Sequence, residues 1–309
     1  MRPFRFGLQT SVAPSMREWR ARARAAEDLG YSCFYMPDHF GDQYGPLVGL
    51  TVAAEATTTL KVGALVLDND YRHPVVLAKE IATLDLACEG RLEFGLGAGW
   101  LRSDYDEAGL PYDDPAVRVD RMEEALAILK ALWSEGRTSF SGKHYQLTEA
   151  VCEPRPHSRP YPPILIGGGA KRVLSIAARE ADIVGVNLDM RAGRVNRESV
   201  ATALPDHYDR RIGWIRDAAG DRFETLDLQV LTFMVQIVPN RAEVAGQIAP
   251  LYGVPAEEAL QIPMALIGSV DEICQTLIER RQRWGFNYIV VHDAEMEAFA
   301  PVISRLAGT

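Results

Sequence analysis

The sequence has 309 residues, of which 47% are hydrophobic and 24% are charged, and these fractions exclude a largely disordered chain. The length suits one α/β barrel with insertions or two ordinary domains. The formal net charge of −9 at pH 7 argues against a general nucleic-acid binder.

Strand-like and helical segments alternate along the chain, which is typical of parallel βα units. Strand candidates begin at Phe4 (FRFGLQT), Cys33 (CFYMPDH), Lys61 (KVGALVL), Arg91 (RLEFGLGAG), Ile164 (ILIGGG), Ala181 (ADIVGVN), Leu228 (LQVLTFMVQIV) and Asn287 (NYIVV). Amphipathic helices are predicted at residues 16–29, 75–87, 118–133, 172–180 and 271–284. Helix starts are indicated by Pro46 and Pro74 at first helical positions, and by a capping box of Ser269 and Glu272.

The alternation of strands and helices predicts an α/β fold, a (β/α)8 TIM barrel formed by residues 1–309 as a single domain. An open doubly wound sheet has the same alternation and stays an alternative. We expect insertions after strands 4, 5 and 6. Residues 138–163, rich in Pro, Gly and His, predict short strands or loop before the fifth strand. Residues 188–223 predict an Arg-rich helical insertion after the sixth strand, where it would border an active site.

The chain has no apolar run near the roughly 20 residues that span a bilayer, and residues 1–10 resemble a first strand rather than a signal peptide. We therefore expect a cytoplasmic protein with no membrane partner. The cysteines are widely spaced and form no zinc-binding pattern, so that we expect reduced side chains with packing roles and no metal. They are Cys33, Cys88, Cys152 and Cys274.

Polar residues at the carboxyl ends of the strands are the first candidates for chemistry, because active sites of such barrels lie there. They are Gln9, Thr10, Asp38, His39, Asp68 to Asp70, Gly97 to Trp100, Gly167 to Gly169, Asn187, His292 and Asp293. An imidazole both accepts and returns a proton near neutral pH, which makes His39 the best acid–base candidate. Asp38 would orient it. The alternative is that the Asp38–His39 pair only caps the end of its strand.

Two glycine segments follow strands. The first, GLGAGW at residues 95–100, is not a G-x-G-x-x-G fingerprint because Trp100 stands at the last glycine position. The second runs from Gly167 to Ala170 and leads into a helix near Lys171 and Arg172, an arrangement that suits a phosphate. Tight packing at the first segment and a tight turn at the second are the alternatives.

Other barrel chemistries fit the sequence less well. A Schiff-base aldolase needs a lysine near the end of a strand, whereas Lys61 begins its strand. A metal-dependent hydrolase stays an alternative, with His39, His292, Asp68 and Asp293 as candidate ligands. A non-catalytic ligand-binding barrel would show the same glycines.

Four segments resemble the luciferase-like monooxygenase superfamily in the same order along the chain. They are MPDHF (36–40), YRHP (71–74), EGRLEFGLGAGW (89–100) and PPILIGGGAKRVL (162–174). The segment that contains DHF is more similar to the coenzyme F420-dependent oxidoreductase branch than to the bacterial luciferases.

The resemblance implies a barrel, usually a homodimer, that binds an isoalloxazine or 5-deazaisoalloxazine ring at its mouth. It places Asp38 and His39 beside the reactive face of the ring. It also implies a non-proline cis peptide behind the ring, near Ala64 and Leu65. The segments that approach the ribityl chain and phosphate correspond to Gly97, Ala98, Gly99 and Trp100 and to Gly167, Gly168, Gly169 and Ala170.

The resemblance implies a coenzyme F420-dependent oxidoreductase that transfers a hydride between C5 of the deazaflavin and a small-molecule organic substrate. The alternative is an FMN-dependent monooxygenase that uses reduced flavin and O2, and the sequence leaves both open. Sugar-phosphate dehydrogenases of this class have a glutamate where this chain has Trp100. Indole cannot exchange a proton, so we expect another substrate, with Trp100 walling the pocket or packing under the following loop.

Overall fold

The computed structural model describes residues 1–135 and 137–309, and a closed barrel of parallel strands lies at its centre. The strands are β1 (Arg5–Gln9), β2 (Cys33–Met36), β3 (Lys61–Ala64), β4 (Leu67–Asp68), β5 (Leu92–Gly97), β6 (Arg137–Ser141), β7 (Gln146–Val151), β8 (Ile164–Gly168), β9 (Ile183–Val186), β10 (Asp227–Leu231), β11 (Met234–Ile237), β12 (Ala265–Gly268) and β13 (Phe286–His292). The helices are α1 (Met16–Asp28), α2 (Pro46–Glu55), α3 (Pro74–Ala87), α4 (Arg102–Ala108), α5 (Pro115–Ser134), α6 (Lys171–Glu180), α7 (Arg197–Ala201), α8 (Pro205–Ala219), α9 (Arg241–Tyr252), α10 (Ala256–Ala259), α11 (Val270–Trp284) and α12 (Met296–Leu306).

The barrel strands follow the order β3, β2, β1, β13, β10, β9, β8 and β5, with β4 alongside β5. Pairing of β3 with β5, through Val62 opposite Leu92 and Gly63 opposite Glu93, closes the ring. Every pairing between these strands is parallel. The predicted (β/α)8 barrel is therefore confirmed, and the open-sheet alternative is wrong.

Two strand candidates are divided in the structure. The segment from Lys61 breaks at Leu65 and Val66, which a cis peptide bond joins, and resumes as β4. The segment from Leu228 ends in the barrel at Leu231, where the Thr232 amide and hydroxyl both donate to the Val290 carbonyl. Its second half, β11, pairs with β12 outside the barrel. Continuous strand-like sequence hides such breaks, because it does not show where the backbone bends or changes sheet.

The insertions follow barrel strands, but not all of the predicted ones. After the fourth barrel strand, β5, come α4, α5 and the hairpin of β6 and β7. After the sixth, β9, come α7 and α8. The expected insertion after the fifth strand is wrong, since α6 alone links β8 to β9. An insertion that we did not predict, β11 to β12 with α9 and α10, follows the seventh strand, β10.

Apolar side chains pack on both sides of the barrel wall. Inside, Tyr35 and Leu165 belong to a small cluster at the barrel axis. A Cβ on Gly7 or Gly63 would come within 2.9 Å and 2.8 Å of the Tyr35 ring, respectively, so these glycines leave room for the phenol. Outside, a larger cluster joins the strands to the surrounding helices, for example through Trp133 on α5 against Phe94.

The amino-terminal end of the barrel is filled by a polar group that we call the floor cluster: Arg5, Tyr35, Lys61, Glu93 and Tyr288. The fully buried Glu93 carboxylate receives hydrogen bonds from Arg5, from Tyr35, from Lys61 at 3.2 Å and from Tyr288 at 3.0 Å. Burial opposes ionisation of Glu93, but the charges of Arg5 and Lys61 outweigh it and lower its pKa. The floor cluster is thus a fully paired structural network.

Local helix signals agree with the structure. Pro46 and Pro74 occupy first-turn positions of α2 and α3. Ser269 and Glu272 form the predicted capping box of α11, with both reciprocal hydrogen bonds present. In the part of the chain that the structure describes, none of the helices is long and apolar enough to cross a membrane.

Candidate active site

A cavity of about 380 Å³ opens at the carboxyl ends of the barrel strands. Its walls come from β1, from the turns after β2 and β4, and from the ends of β5, β8, β9 and β10. This is the end of the barrel at which enzymes of this architecture place their active sites. Most of the strand-end residues selected from the sequence line this cavity.

His39 follows β2 and reaches the cavity with one ring nitrogen anchored. Its Nδ1 lies 2.6 Å from Oδ2 of Asp104, a buried residue of α4. The Tyr71 hydroxyl donates to the same oxygen at 3.2 Å. Because a carboxylate only accepts hydrogen bonds, Nδ1 carries a hydrogen, and in the neutral imidazole Nε2 keeps a lone pair for a ligand in the cavity.

Asp38 does not have the predicted orienting role. Its carboxylate forms a two-pronged ion pair with Arg72, at 2.6 Å and 3.0 Å, and accepts the Asp68 amide at 2.9 Å. Asp38 therefore ties the end of β2 to the turn after β4, and Asp104 holds His39. Asp104 lies in a segment that the sequence predicted as loop, among several acidic residues with no pattern to separate them.

Trp100 forms a wall of the cavity next to His39. The two rings meet edge to face, with centroids 5.8 Å apart and an interplanar angle of 87°. The Trp100 carbonyl accepts the Tyr112 hydroxyl at 3.0 Å, which fixes the backbone of the turn. An indole in this position packs against the His39 ring and presents an apolar surface to a ligand.

The predicted glycine segments line the cavity, and glycine is required at their positions for different structural reasons. Gly99 has a φ of +72°, and a Cβ would lie 1.9 Å from the Tyr105 hydroxyl. At Gly169 a Cβ would lie 2.0 Å from the Leu188 carbonyl oxygen. The positive φ and the Tyr105 side chain require glycine at position 99, and close backbone packing requires it at position 169. At Gly167 a Cβ would make only ordinary contacts, the nearest at 3.6 Å, so glycine there keeps the cavity open.

The cis peptide lies one bond beyond the expected position. It joins Leu65 to Val66, and both of these residues line the cavity. Ala64 is buried and is not part of the cavity wall. The Val66 side chain packs against Gly97 and lies close to Gly167.

Asp68 adds a buried carboxyl group to the cavity wall. It is 6% exposed and accepts hydrogen bonds from the Tyr105 hydroxyl at 3.0 Å and from the Asp70 amide at 2.9 Å. Burial, with the nearby charges of Asp70 and Asp38, raises the pKa of Asp68 to about 7. Unlike Glu93, it has no Lys or Arg ion-pair partner among the described residues, so its protonated and ionised forms are about equally populated near pH 7.

The cations near α6 differ from the predicted ones. Arg172 forms ion pairs with Asp120, at 2.6 Å, and with Glu123, and neither it nor Lys171 lines the cavity. Arg118, 2% exposed, does line it, and its Nε donates to the Ala98 carbonyl at 3.3 Å. The amino terminus of α6, with Gly168 to Ala170 on the wall, still offers free amides to an anion.

Gln229 of β10 carries an unpaired polar atom on the cavity floor. The residue is 1% exposed, and its Nε2 has no hydrogen-bond partner among the described residues. Leaving such a group unpaired costs about 1–3 kcal/mol, so a ligand acceptor at this place would remove the penalty. A flat heterocycle with ring carbonyls, seated over Gly167, fits both the open floor and this donor.

The remaining strand-end candidates divide into two groups. Gln9 and Asn187 line the cavity. Thr10 and Asp293 bond instead to each other and to Arg22, outside the cavity wall. Within residues 1–135 and 137–309, no three His, Cys, Asp or Glu side chains are arranged to hold a metal ion. His292, proposed as a ligand with them, also lies outside the wall.

Comparison with known proteins agrees with this geometry. The sequence model of a family described as luciferase-like monooxygenase matches residues 1–223. An FMNH2-dependent dimethylsulfone monooxygenase from Pseudomonas putida is 32% identical over 187 residues, 57% of this chain and 51% of that enzyme. An F420-dependent glucose-6-phosphate dehydrogenase from Kineococcus radiotolerans is 33% identical over 165 residues, 51% of this chain and 48% of that enzyme.

The fold is shared with solved structures over nearly the whole chain. The coenzyme F420-dependent tetrahydromethanopterin reductase from Methanopyrus kandleri superposes with a TM-score of 0.77 at 19% identity, covering 99% of this chain and 98% of that one. The sequence matches, in contrast, span about half the length of the two enzymes named above. Because the family match covers more than half of the residues, the chain belongs to the luciferase-like monooxygenase family.

Proposed function

We propose that the protein is a coenzyme F420-dependent oxidoreductase that transfers a hydride between the deazaflavin and a small organic substrate. The observation that carries this proposal is the state of His39: Asp104 fixes Nδ1, and Nε2 is left free at the cavity. A hydride transfer to or from a carbon–oxygen bond needs one group that takes or returns one proton, and His39 supplies it.

The cavity fits the cofactor class. A bound deazaflavin would supply C5 as the carbon that exchanges hydride. Gln229 would donate to the polar edge of its ring, Gly167 would leave space for the ring, and Leu65 and Val66 would back it. Arg118 and the amino terminus of α6 would take the anionic end of the molecule.

The residues have separate tasks in the reaction. For oxidation of an alcohol, His39 Nε2 would accept the hydroxyl proton while the hydride leaves the carbinol carbon, and for reduction it would return that proton. Asp104 would stabilise the imidazolium that forms. Trp100 would exclude water from the reacting centre, as its edge-to-face contact with His39 indicates.

A second candidate is an FMN-dependent monooxygenase that uses reduced flavin and O2. It is favoured by the relative from Pseudomonas putida, whose name states FMNH2 dependence. The barrel, the glycines and the unpaired Gln229 donor suit either ring. The DHF segment at His39, which is more similar to the F420-dependent branch, supports the first candidate.

The test is a titration of the purified protein with coenzyme F420 and with FMN, each oxidised and reduced, followed by fluorescence quenching and absorbance. Tighter binding of the deazaflavin, without O2 consumption, is expected. Preferential binding of reduced FMN with O2 consumption would establish the second candidate. Binding of neither ring would contradict both candidate functions and would favour a barrel that acts without either cofactor.

A further inference from the structure

A buried arginine lies behind the turn that leads into α6. Arg211 of α8 is 2% exposed and is not part of the cavity wall. Its Nε donates to the Gly169 carbonyl at 3.0 Å, and its Nη1 donates to the Thr202 carbonyl at 2.7 Å. Arg211 therefore joins the second glycine segment to the end of α7.

The charge of Arg211 is not neutralised by an ion pair. Among the described residues, no Asp or Glu side chain is bonded to its guanidinium. Asp189 acts on this charge, but Arg191 occupies its carboxylate, with Nη2 2.6 Å from Oδ2. Burial lowers the pKa of Arg211, and only smaller effects of Tyr208 and Asp189 oppose it. The guanidinium is thus a buried cation without a bonded anion.

The contacts of Arg211 do not by themselves require a positive charge. Both of its acceptors are backbone carbonyls, to which a neutral amide N–H also donates. Desolvating a charge is costly unless a counter-charge compensates it. The burial of this charge is therefore compensated when an anion binds nearby.

Arg211 also fixes the orientation of a peptide at the cavity wall. The Gly169–Ala170 peptide bond is trans, so its carbonyl and its amide point in opposite directions. Because Arg211 holds the carbonyl, the Ala170 amide points away from Arg211. Ala170 lines the cavity and begins α6 without a side-chain cap, so this amide is open to a ligand.

A second buried arginine is placed in a similar way at the first glycine segment. Arg118 is 2% exposed and lines the cavity, and its Nε donates to the Ala98 carbonyl at 3.3 Å. Among the described residues it has no Asp or Glu partner either, and its guanidinium lies 4.2 Å from the centre of the Tyr112 ring. Two buried cations and the start of α6 favour a compact group with a high negative charge, such as a phosphate.

We propose that Arg211 is a positioning residue for a phosphate group bound at the amino terminus of α6, which it stabilises through the Gly169–Ala170 peptide without touching it. This inference rests on the proposed function, in which the same end of the cavity takes the anionic end of the coenzyme. It adds that the phosphate, and not the ring alone, supplies much of the affinity.

The experiment compares matched ligands with and without a phosphate. FMN differs from riboflavin by one phosphate group, and coenzyme F420 is compared with its deazaflavin riboside, which lacks the phosphate and the side chain beyond it. Fluorescence titrations of the oxidised forms give a dissociation constant for each ligand. The phosphate preference is the ratio of the two constants within the pair that the protein binds. For wild type we expect a preference of at least about tenfold.

Three variants assign this preference to the charge of Arg211. Arg211→Gln should lower the preference by roughly tenfold and leave the affinity for the phosphate-free ligand unchanged, because the charge acts on the phosphate. Arg211→Lys keeps the charge and should keep most of the preference. Arg210→Gln is the matched control, because Arg210 is the preceding residue of α8, is exposed and is bonded to His207 at 2.9 Å. Its preference should equal that of wild type.

Two results on a folded Arg211→Gln protein would overturn the inference. An unchanged phosphate preference would show that the charge does not act on the phosphate. Equal weakening of both ligands would show that Arg211 only supports the shape of the turn. If Arg211→Gln does not fold, Arg211→Met is the second neutral variant. Failure of both variants to fold would show that the fold itself needs the charge, which also contradicts the inference.

The outcomes separate this inference from the proposed function. Binding of a ring without a phosphate preference overturns the inference and leaves the proposed function intact. If neither ring binds, the proposed function fails, and the urea midpoint is measured with and without millimolar inorganic phosphate. A rise for wild type and Arg210→Gln that is absent in Arg211→Gln supports the inference. An equal rise in all three proteins, or no rise in any of them, overturns it.

Discussion

A carboxyl group is buried at each end of the barrel, and its pKa is shifted in opposite directions at the two ends. In the floor cluster, at the amino-terminal end of the barrel, Glu93 is surrounded by two cations and two phenols, and its pKa is lowered. At the mouth, Asp68 is buried beside other carboxylates, and its pKa is raised to about 7. The same kind of side chain is therefore ionised at one end of the barrel and titrates near neutral pH at the other.

The comparison separates a structural network from a chemical one. Both Glu93 oxygens have partners in the floor cluster. At the mouth, in contrast, Gln229 Nε2 is buried without a partner, and His39 Nε2 is left open to the cavity by the hydrogen bond at Nδ1. Unused donors and acceptors beside an apolar cavity have a purpose only when a ligand is bound.

The largest effect is expected for His39→Ala. Without the imidazole, no group at this position exchanges the proton, so turnover should fall by about 10²–10⁴-fold. The dissociation constant of the coenzyme should change little, because the ring contacts are made by other residues. Steady-state kinetics and a binding titration on the same sample measure the two quantities. His207→Ala, on the outer helix α8, is the control. Equal losses of turnover and affinity would contradict the role of His39.

Replacing Glu93 by Gln should lower the stability of the protein without changing the cavity at the carboxyl ends of the strands. Arg5 and Lys61 would lose the carboxylate that compensates their charges, and breaking a buried ion pair in this way costs about 3–5 kcal/mol. Urea unfolding measures the loss. Glu149→Gln removes an exposed pair with Arg137 on the hairpin and should change stability little. A Glu93→Gln protein as stable as wild type would show that the floor cluster is dispensable.

Asp104→Asn tests the residue that positions His39. A hydrogen bond to a charged partner contributes about 1.5–3 kcal/mol, so kcat should fall by roughly 10–100-fold and its pH profile should shift. Asp38→Asn is the comparison, because Asp38 pairs with Arg72. It should lower the urea midpoint more than it changes the pH profile of kcat. If Asp38→Asn shifts the profile and Asp104→Asn does not, the structural assignment is reversed.

A smaller, pH-dependent effect is expected for Asp68→Asn. The pKa of Asp68 rises from 3.8 to about 7 on folding, so the folded protein keeps a proton that the unfolded chain releases. Stability from this proton is complete below about pH 4 and is lost as the pH rises through about 7. The variant lacks this loss. Its urea midpoint relative to wild type should therefore improve between about pH 5 and pH 8. A constant difference would contradict the raised pKa.

Much of the fold could be predicted from the sequence, because the spacing of apolar residues and the residues at helix starts specify it. Alternating strands and helices, the prolines that begin α2 and α3, and the capping box at Ser269 all act within a few residues. The break after Leu231 and the extra pair β11 and β12 could not, since a strand-like run does not show in which sheet each half pairs. An insertion after β8 was expected and is not formed.

The site could be predicted in outline but not in its pairings. His39, Trp100 and the glycines were found because they follow strands, and parallel strands bring their carboxyl ends together. The partner of His39 was missed, because Asp104 is distant in sequence and meets it only in three dimensions. The same holds for Arg118 and Gln229, whose roles depend on which atoms the fold leaves unpaired.

The most direct test of the account is a fluorescence titration of coenzyme F420 onto wild type and Gly167→Val. A Cβ at this position meets no atom closer than 3.6 Å, so the barrel should fold unchanged, while the extra methyl groups would occupy the cavity floor. The account predicts that wild type binds the coenzyme and that the variant, with an unaltered circular dichroism spectrum, binds it at least about tenfold more weakly. Equal affinities would show that the ring does not lie over Gly167, and the cofactor site would have to be sought elsewhere.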